Sequence, residues 1–527
     1  MGPATLDCQS ETFRSRVPNL GMRHATRYIF PMNIPESNRT NLAGLGAVAL
    51  GCALAWIWLG FPAPGIDDAD IFFVYARNVA AGHGFVYNVG GEAVEGFTSL
   101  LWTLVCSGLR ASEPLLLVVN VLLGGFAVGA CLRRVERPGL FLVLLAAAPA
   151  WFAWCQLTLM ETGLWCLLIT LLGLAVAEGR RMAALVLLPL LVVTRPESML
   201  WGAWALLLLF ARAGKGERLR MVLFPAAAFG LALAGLVGFR LWYFGYPVPN
   251  TYYAKVSPGL FSNLWNGLVY LRNYLVGSPA VALLAATAAY ALFRRRPAGR
   301  GLSFWLVLYL LPGIAIPVLV GGDHFGAFRF YQPLWPLLCL VAALEWPAPI
   351  QAVRPGLVKI FLILVLVSGW VLFPLTANLK HEFLIAREGR ANGTALVRMF
   401  GDLDAWPTVA TITAGGNKLT YPGHVHDLMG LNSTLMAHAP GERAAYKNHT
   451  GFNRGVFYRW QPDILLCGDS AEFDALVLNG LHDDPRFRAL YVKCTLHRNG
   501  AQLGAWYRND FLMALPGTGR PVAPPEE

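Results

Sequence analysis

Charge is what this 527-residue chain has least of: Asp, Glu, Lys and Arg make up 14% of it, against 56% hydrophobic residues. Soluble domains carry roughly 25% charged residues, so the deficit excludes a soluble globular protein and puts most of the chain in lipid. Cysteine is sparse too, and nine in the whole chain are too few for a disulfide scaffold. Cys52, Cys106, Cys131, Cys155, Cys166 and Cys339 fall in apolar stretches and read as packing residues, which leaves Cys467 and Cys494 in a polar tail. Residues 1–40 carry five arginines but no apolar core of the kind a secretory signal needs. They read as a disordered cytoplasmic stretch, with Met32 an alternative start and residues 41–60 an uncleaved anchor. Internal repeats are absent, and so is low complexity before residues 516–527, a disordered tail. The net charge of +11 comes without a basic aromatic groove, which excludes nucleic acid as a partner. Arg and Lys gather in short loops instead, at Arg133-Arg134, Arg180-Arg181, residues 215–220 and residues 294–300, a positive-inside pattern.

What is abundant is hydrocarbon-length sequence. Apolar windows fall near residues 41–60, 138–155, 161–177, 182–195, 197–212, 221–245, 278–293, 302–320, 330–345 and 357–375. Residues 98–131 hold two apolar pieces broken at Arg110-Ala111-Ser112-Glu113-Pro114, and the arginine rule requires them to cross an odd number of times. The simplest reading is an α-helical polytopic membrane protein of about eleven spans over residues 41–375, N-terminus inside and C-terminus outside. Residues 376–515 turn polar and alternate, with strands expected near 408–413, 462–466 and 489–496 and a helix near 471–479. That predicts a soluble C-terminal α/β domain on the outer face. Cys467 closes one of these strands and Cys494 lies in another; two separate thiols or one disulfide both fit, and a bridge requires the strands to be neighbours.

The most informative stretch is Ile66-Asp67-Asp68-Ala69-Asp70, in an outer loop of about 37 residues at 61–97. Carboxylates beside a bilayer are costly, so three within four residues default to function rather than to capping the helix expected over 70–80. Transfer of a sugar from a phosphate-linked donor needs a base within reach of the acceptor hydroxyl, cationic help for the departing phosphate, and stabilisation of positive charge on the sugar ring. Asp67 and Asp68 are therefore the candidate catalytic pair, one as base, the other orienting a hydroxyl, holding a divalent cation or stabilising charge. Asp70 supports them, and Arg77 is expected to pair with Asp70 or Glu95. His83, between Gly82 and Gly84, reads as a loop residue.

The other outer loops bring further polar groups to the same face. Glu161, Arg195 and Glu197 form either a scaffold of ion pairs or a phosphate and sugar site, the Arg195 fork being the group best suited to phosphate. Asn250-Thr251-Tyr252-Tyr253-Ala254-Lys255 joins aromatic faces for a sugar ring to a cation for phosphate, with an interfacial anchor as the plain alternative. Asp323-His324, followed by Arg329, adds an acid and cation group. In the tail, His424 and His426 share one face if they lie on a strand, and Asp427 follows them; a metal site there has weak support.

Taken in order, these segments resemble a known family. Asp67-Asp68-Ala-Asp-Ile-Phe-Phe-Val-Tyr-Ala-Arg-Asn, with Gly82-His-Gly, Asn88, Val94-Glu-Gly-Phe-Thr and Leu101-Trp102, is similar to the first outer loop of GT-C glycosyltransferases, most like the mycobacterial terminal arabinofuranosyltransferases. Glu161-Thr162, Thr194-Arg-Pro-Glu197, Pro249 to Lys255, Gly321-Gly-Asp-His324 and Val425 to Leu431 continue the likeness. The resemblance implies inverting transfer from a polyprenyl-phosphate sugar to a cell-envelope glycan or glycolipid, at the outer face of a bacterial cytoplasmic membrane, with Asp67 or Asp68 as the base. Two other classes stay open: a non-catalytic envelope or flagellar-motor factor, and a transporter of lipid-linked sugars. A transporter is expected to carry polar groups through its midplane, whereas here they cluster at one face.

Overall fold

The computed structural model describes residues 36–255, 259–293, 301–346, 354–376, 379–440, 451–468 and 470–516. The N-terminal stretch up to residue 35, Met32 included, the basic loop 294–300 and most of the tail 516–527 lie outside the described residues.

Among the described residues, five helices are long and apolar enough to cross a bilayer, up to seven if each of two bent pairs counts as one span, and four more apolar helices are shorter. The first, Glu36–Trp58, crosses Glu113–Leu132 so closely that a methyl on Gly44 would stand 2.6 Å from the Gly125 carbonyl oxygen. Small residues are what allow apolar helices to associate where no hydrophobic drive separates them from lipid tails. The ambiguous segment 98–131 resolves into a nine-residue helix, Leu100–Gly108, and the long Glu113–Leu132.

The expected spans at 138–155 and 278–293 are not straight. Pro138–Ala146 and Pro149–Leu157 meet at 79°, and Leu260–Gly277 meets Pro279–Phe293 at 106°. Each break falls at a proline, with Ser278 extended before Pro279, because proline disfavours helical backbone in the residue before it. The span expected at 330–345 likewise opens as a 3-10 segment, Gly326–Leu334, and becomes α-helical only at Trp335.

The loop at 61–97 holds the acidic helix, Asp67–Ala80, and the helix starts at the carboxylates and not after them: Asp67, Asp68 and Asp70 fill its first turn. Acids there face the positive end of the peptide dipoles. A long bridging helix, Leu379–Phe400, leads from the last apolar segment into a five-stranded mixed sheet in the order β2-β1-β3-β5-β4. The strands are β1 Val409–Thr411, β2 Val425–Asp427, β3 Ile464–Leu466, β4 Tyr491–Arg498 and β5 Ala501–Arg508. β1 runs parallel to both β2 and β3, β5 runs antiparallel to β3 and β4, and β4 and β5 form a hairpin through Asn499-Gly500, both at positive φ. β5 thus intervenes between β3 and β4, which corrects the premise of a bridge between Cys467 and Cys494: their strands are not neighbours, and both cysteines are thiols.

The acidic loop is fastened to this sheet. Asn88 pairs its side-chain amide with the backbone of Val425 on the edge strand β2, at 2.9 and 3.0 Å, as a neighbouring strand would. The Tyr87 hydroxyl donates to the Ala414 carbonyl and the Tyr75 hydroxyl to Asn432 Oδ1.

Candidate active site

Between the acidic helix, the bridging helix and the sheet lies an open cleft of about 1910 Å³. Asp67 and Asp68 form part of its floor, His324 and Phe325 stand beside them, and Glu382 and Glu388 come from the bridging helix. Thr413 and Ala414 after β1, Met429 and Leu431 after β2, and Cys467 and Gly468 after β3 also line it. The cleft therefore sits at the carboxyl ends of three parallel strands, where open α/β sheets hold their ligands.

Asp67 and Asp68 are neighbours in sequence with different electrostatics. The Asp67 carboxylate accepts from the backbone amides of Gly416 at 2.7 Å and Gly415 at 3.1 Å, at the start of the short helix Ala414–Thr420. A side chain at Gly415 would collide with the Asp67 carbonyl at 1.9 Å, so only glycine permits this approach. Burial, with Asp70 and Asp68 close by, pushes Asp67 up to about 8 in spite of the two amide donors. Burial acts on Asp68 too, but Lys255, Arg329 and His324 outweigh it and hold this carboxyl below its ordinary range. Asp68 Oδ2 lies 3.3 Å from Arg329 Nη1 and 3.9 Å from Lys255 Nζ.

Arg329 bridges two acids, since its Nε also donates to Asp323 at 2.7 Å, and it lies 4.1 Å over the Phe325 ring. His324 Nδ1 stands 3.3 Å from Asp323. Against the cost of burial, Arg329 and His324 hold the Asp323 carboxyl well below the usual range. A metal ion fits poorly here, because cationic side chains already neutralise these acids, and among the described residues no group of three His, Cys, Asp or Glu side chains converges to hold one.

The remaining expected residues divide between cleft and scaffold. Lys255 and His324 reach the acids. Asp70, fully buried, is clamped by Arg390 through two hydrogen bonds, and Glu95 by Arg240 at 2.8 and 2.9 Å. Arg77 pairs with neither acid; it donates to the Leu419 carbonyl. Arg195 is held between Glu161 at 2.5 Å and Glu197 at 2.8 Å, and it lines, with Glu197 and Arg329, a pocket other than the cleft. Asn250 spends its amide on the carbonyls of Gly430 and Leu431. Tyr253 lies 4.2 Å from the His438 ring and 5.7 Å from Tyr252, a ring cluster outside the cleft lining. His83 is exposed, and the His424 and His426 rings lie 4.5 Å apart, with His426 stacked on Trp460.

Arg329, expected to join Asp323 and His324 from its spacing, does so. Glu382 is a group at the cleft that carries no signal in the sequence, since it is one charge among many on a polar helix. In the fold, burial and the nearby charges of Asp68 and Asp323 push Glu382 up to about 7.

Among solved structures the chain is similar to ArnT from Cupriavidus metallidurans bound to undecaprenyl phosphate, with a TM-score of 0.53. The match covers 88% of this chain and 98% of that one at 11% identity. The chain shares the overall fold of that protein. At that identity the likeness carries the architecture, a polytopic membrane body with an attached C-terminal domain, and leaves the chemistry to the residues. No protein-family model matches the sequence, and no curated protein does.

Proposed function

We propose that this protein is an inverting glycosyltransferase that moves a sugar from a polyprenyl-phosphate donor to a cell-envelope glycan or glycolipid, in the cleft above Asp67 and Asp68. The observation that carries the reading is the position of Asp68, an ionised carboxylate on the cleft floor with Arg329 and Lys255 beside one oxygen. The fold, shared with a protein solved with undecaprenyl phosphate bound, supports the donor class.

In this reading the acceptor hydroxyl attacks the anomeric carbon, the bond from that carbon to the phosphate oxygen breaks, and polyprenyl phosphate leaves with the electron pair. Asp68 takes the acceptor proton. Lys255 and Arg329 hold the phosphate, and as they turn to it they neutralise Asp68 less, which makes that carboxylate more basic when a base is needed. Asp67, protonated below about pH 8, fixes the helix start against Gly415 and Gly416 and hydrogen-bonds the sugar. Glu161, Arg195 and Glu197 act as scaffold, as do Asn250, Asp70 and Glu95. Arabinofuranose is one candidate sugar, and the resemblance does not choose it over other pentoses or hexoses, because Phe73 and Val74 depart from the related loops. Residues 376–515 and the acidic loop lie on the non-cytoplasmic side of the bacterial cytoplasmic membrane.

The test is purified protein with radiolabelled polyprenyl-phosphate pentoses and hexoses and an envelope-glycan acceptor. Labelled product of inverted anomeric configuration is the expected result. Binding of the lipid-linked sugars without transfer of any of them would overturn it in favour of a carrier.

A further inference from the structure

The same cleft holds a second constellation that sugar transfer does not use. Cys467, just past the end of β3, is half-buried and lines the cleft, and its Sγ lies 3.4 Å from His482 Nε2. The other ring nitrogen of His482, Nδ1, stands 3.4 Å from Asp474 Oδ1. The same carboxylate oxygen accepts the His482 backbone amide at 3.0 Å. Asp474 is buried, on the helix Ala471–Val477. The imidazole is stacked on Trp506 of β5, centroids 5.0 Å apart and planes 26° apart, with Phe487 at 5.5 Å on a tilted approach.

Each part of this arrangement acts on the thiol. Asp474 favours the proton on Nδ1, so Nε2 presents its lone pair to Cys467. The rings of Trp506 and Phe487 hold the imidazole in that plane, so no reorientation precedes proton transfer. A thiol facing a fixed imidazole that is itself oriented by a carboxylate is the arrangement of an activated nucleophile. A buried packing cysteine needs none of the three.

We propose that Cys467, His482 and Asp474 form a reactive-thiol centre that takes low-molecular-weight disulfides by exchange, and that the adduct closes the cleft. His482 Nε2 accepts the Cys467 proton, and the thiolate attacks one sulfur of the small disulfide. A bond forms between Cys467 and that sulfur as the original S–S bond breaks, and the departing thiolate takes the proton back from His482. One disulfide is exchanged for another, so no further oxidant is required. The added group stands in the cavity that Asp67 and Asp68 line, and a small thiol removes it by the reverse step.

The test measures the thiol directly, on the full-length purified protein in detergent, and does not depend on sugar transfer. The protein is treated with glutathione disulfide, and adducts at Cys467 and Cys494 are timed by mass spectrometry. The expected result is an adduct at Cys467 forming about 10-fold or more faster than at Cys494, and about 10-fold slower in His482→Ala and Asp474→Asn than in the wild-type protein. Added imidazole should restore part of the rate in His482→Ala, which a merely structural histidine would not allow. Thermal melting of each variant separates loss of fold from loss of activation. Equal rates at the two cysteines, or unchanged Cys467 rates in folded His482→Ala, would overturn the proposal.

Discussion

Asp70 and Arg390 are joined by two hydrogen bonds, 2.7 Å from Nε and 2.5 Å from Nη2, which bolt the acidic helix to the bridging helix. Asp70 has no solvent exposure and Arg390 little, and Arg390 also reaches Glu113 at 2.9 Å. Arg390→Ala should destabilise the protein by about 3–5 kcal/mol, because it strands a buried carboxylate. Asp70→Ala combined with Arg390→Ala should cost less than that. Chemical denaturation in detergent measures both, and a single variant as stable as wild type would show the bolt to be idle.

Asp68→Asn should lower the transfer rate about 100-fold to 10,000-fold with the fold intact, the range for loss of a positioned base. Asp67→Asn, which keeps a hydrogen-bonding side chain, should lose less. Near-normal turnover in Asp68→Asn would remove it from the base role.

Lys255→Ala should raise the KM for the lipid-phosphate donor about tenfold or more, since it removes a charge facing the phosphate and leaves Arg329 bridging Asp68 and Asp323. A change in kcat alone, with donor affinity untouched, would place Lys255 outside the phosphate site.

The pH dependence of stability follows from Asp67. Burial raises this carboxyl from its ordinary 3.8 to about 8, so the folded protein holds a proton that the unfolded chain releases. The associated stability is complete below about pH 3.8 and is lost as pH rises through about 8. Glu382, raised to about 7, acts in the same direction. The melting temperature should therefore fall between pH 6 and pH 9, with a shallower slope in Asp67→Asn. An equal slope in the variant would assign the loss to other groups.

Export reporters fused after Val94 and after Thr413 should both read as outside the cytoplasm. Opposite readings would break the proposed topology, since Asp67 and the Gly415 and Gly416 amides it binds must share one compartment.

Much of this fold could be read from the sequence because it is written in local patterns. The long apolar helices, the acidic helix and the strands near Val409, Ile464 and Tyr491 all carry their own periodicity. What the pattern hid was geometry. Hydropathy windows do not register the bends at Pro149 and Pro279, and the helix Leu260–Gly277 falls below them because polar residues interrupt its apolar face. β2 is only three residues long and draws its definition from β1 and Asn88. β5 did carry a signal, the alternation of buried Leu503, Ala505 and Tyr507, but Gly504 within it reads as a break. At the site, Asp67 and Asp68 announced themselves by clustering. Glu382 acquires its chemistry only from partners distant in sequence, and Arg195 proved to be committed to its own neighbouring glutamates.

The amides that grip Asp67 belong to Gly415 and Gly416, and the walls of the cleft continue to Gly504. During synthesis the acidic helix therefore leaves the ribosome long before the groups that complete its surroundings. A chain halted anywhere before the sheet would insert its helices and hold the acids, yet have no chamber in which to use them. The chamber is completed late and all at once, when the last strands reach the acids made first.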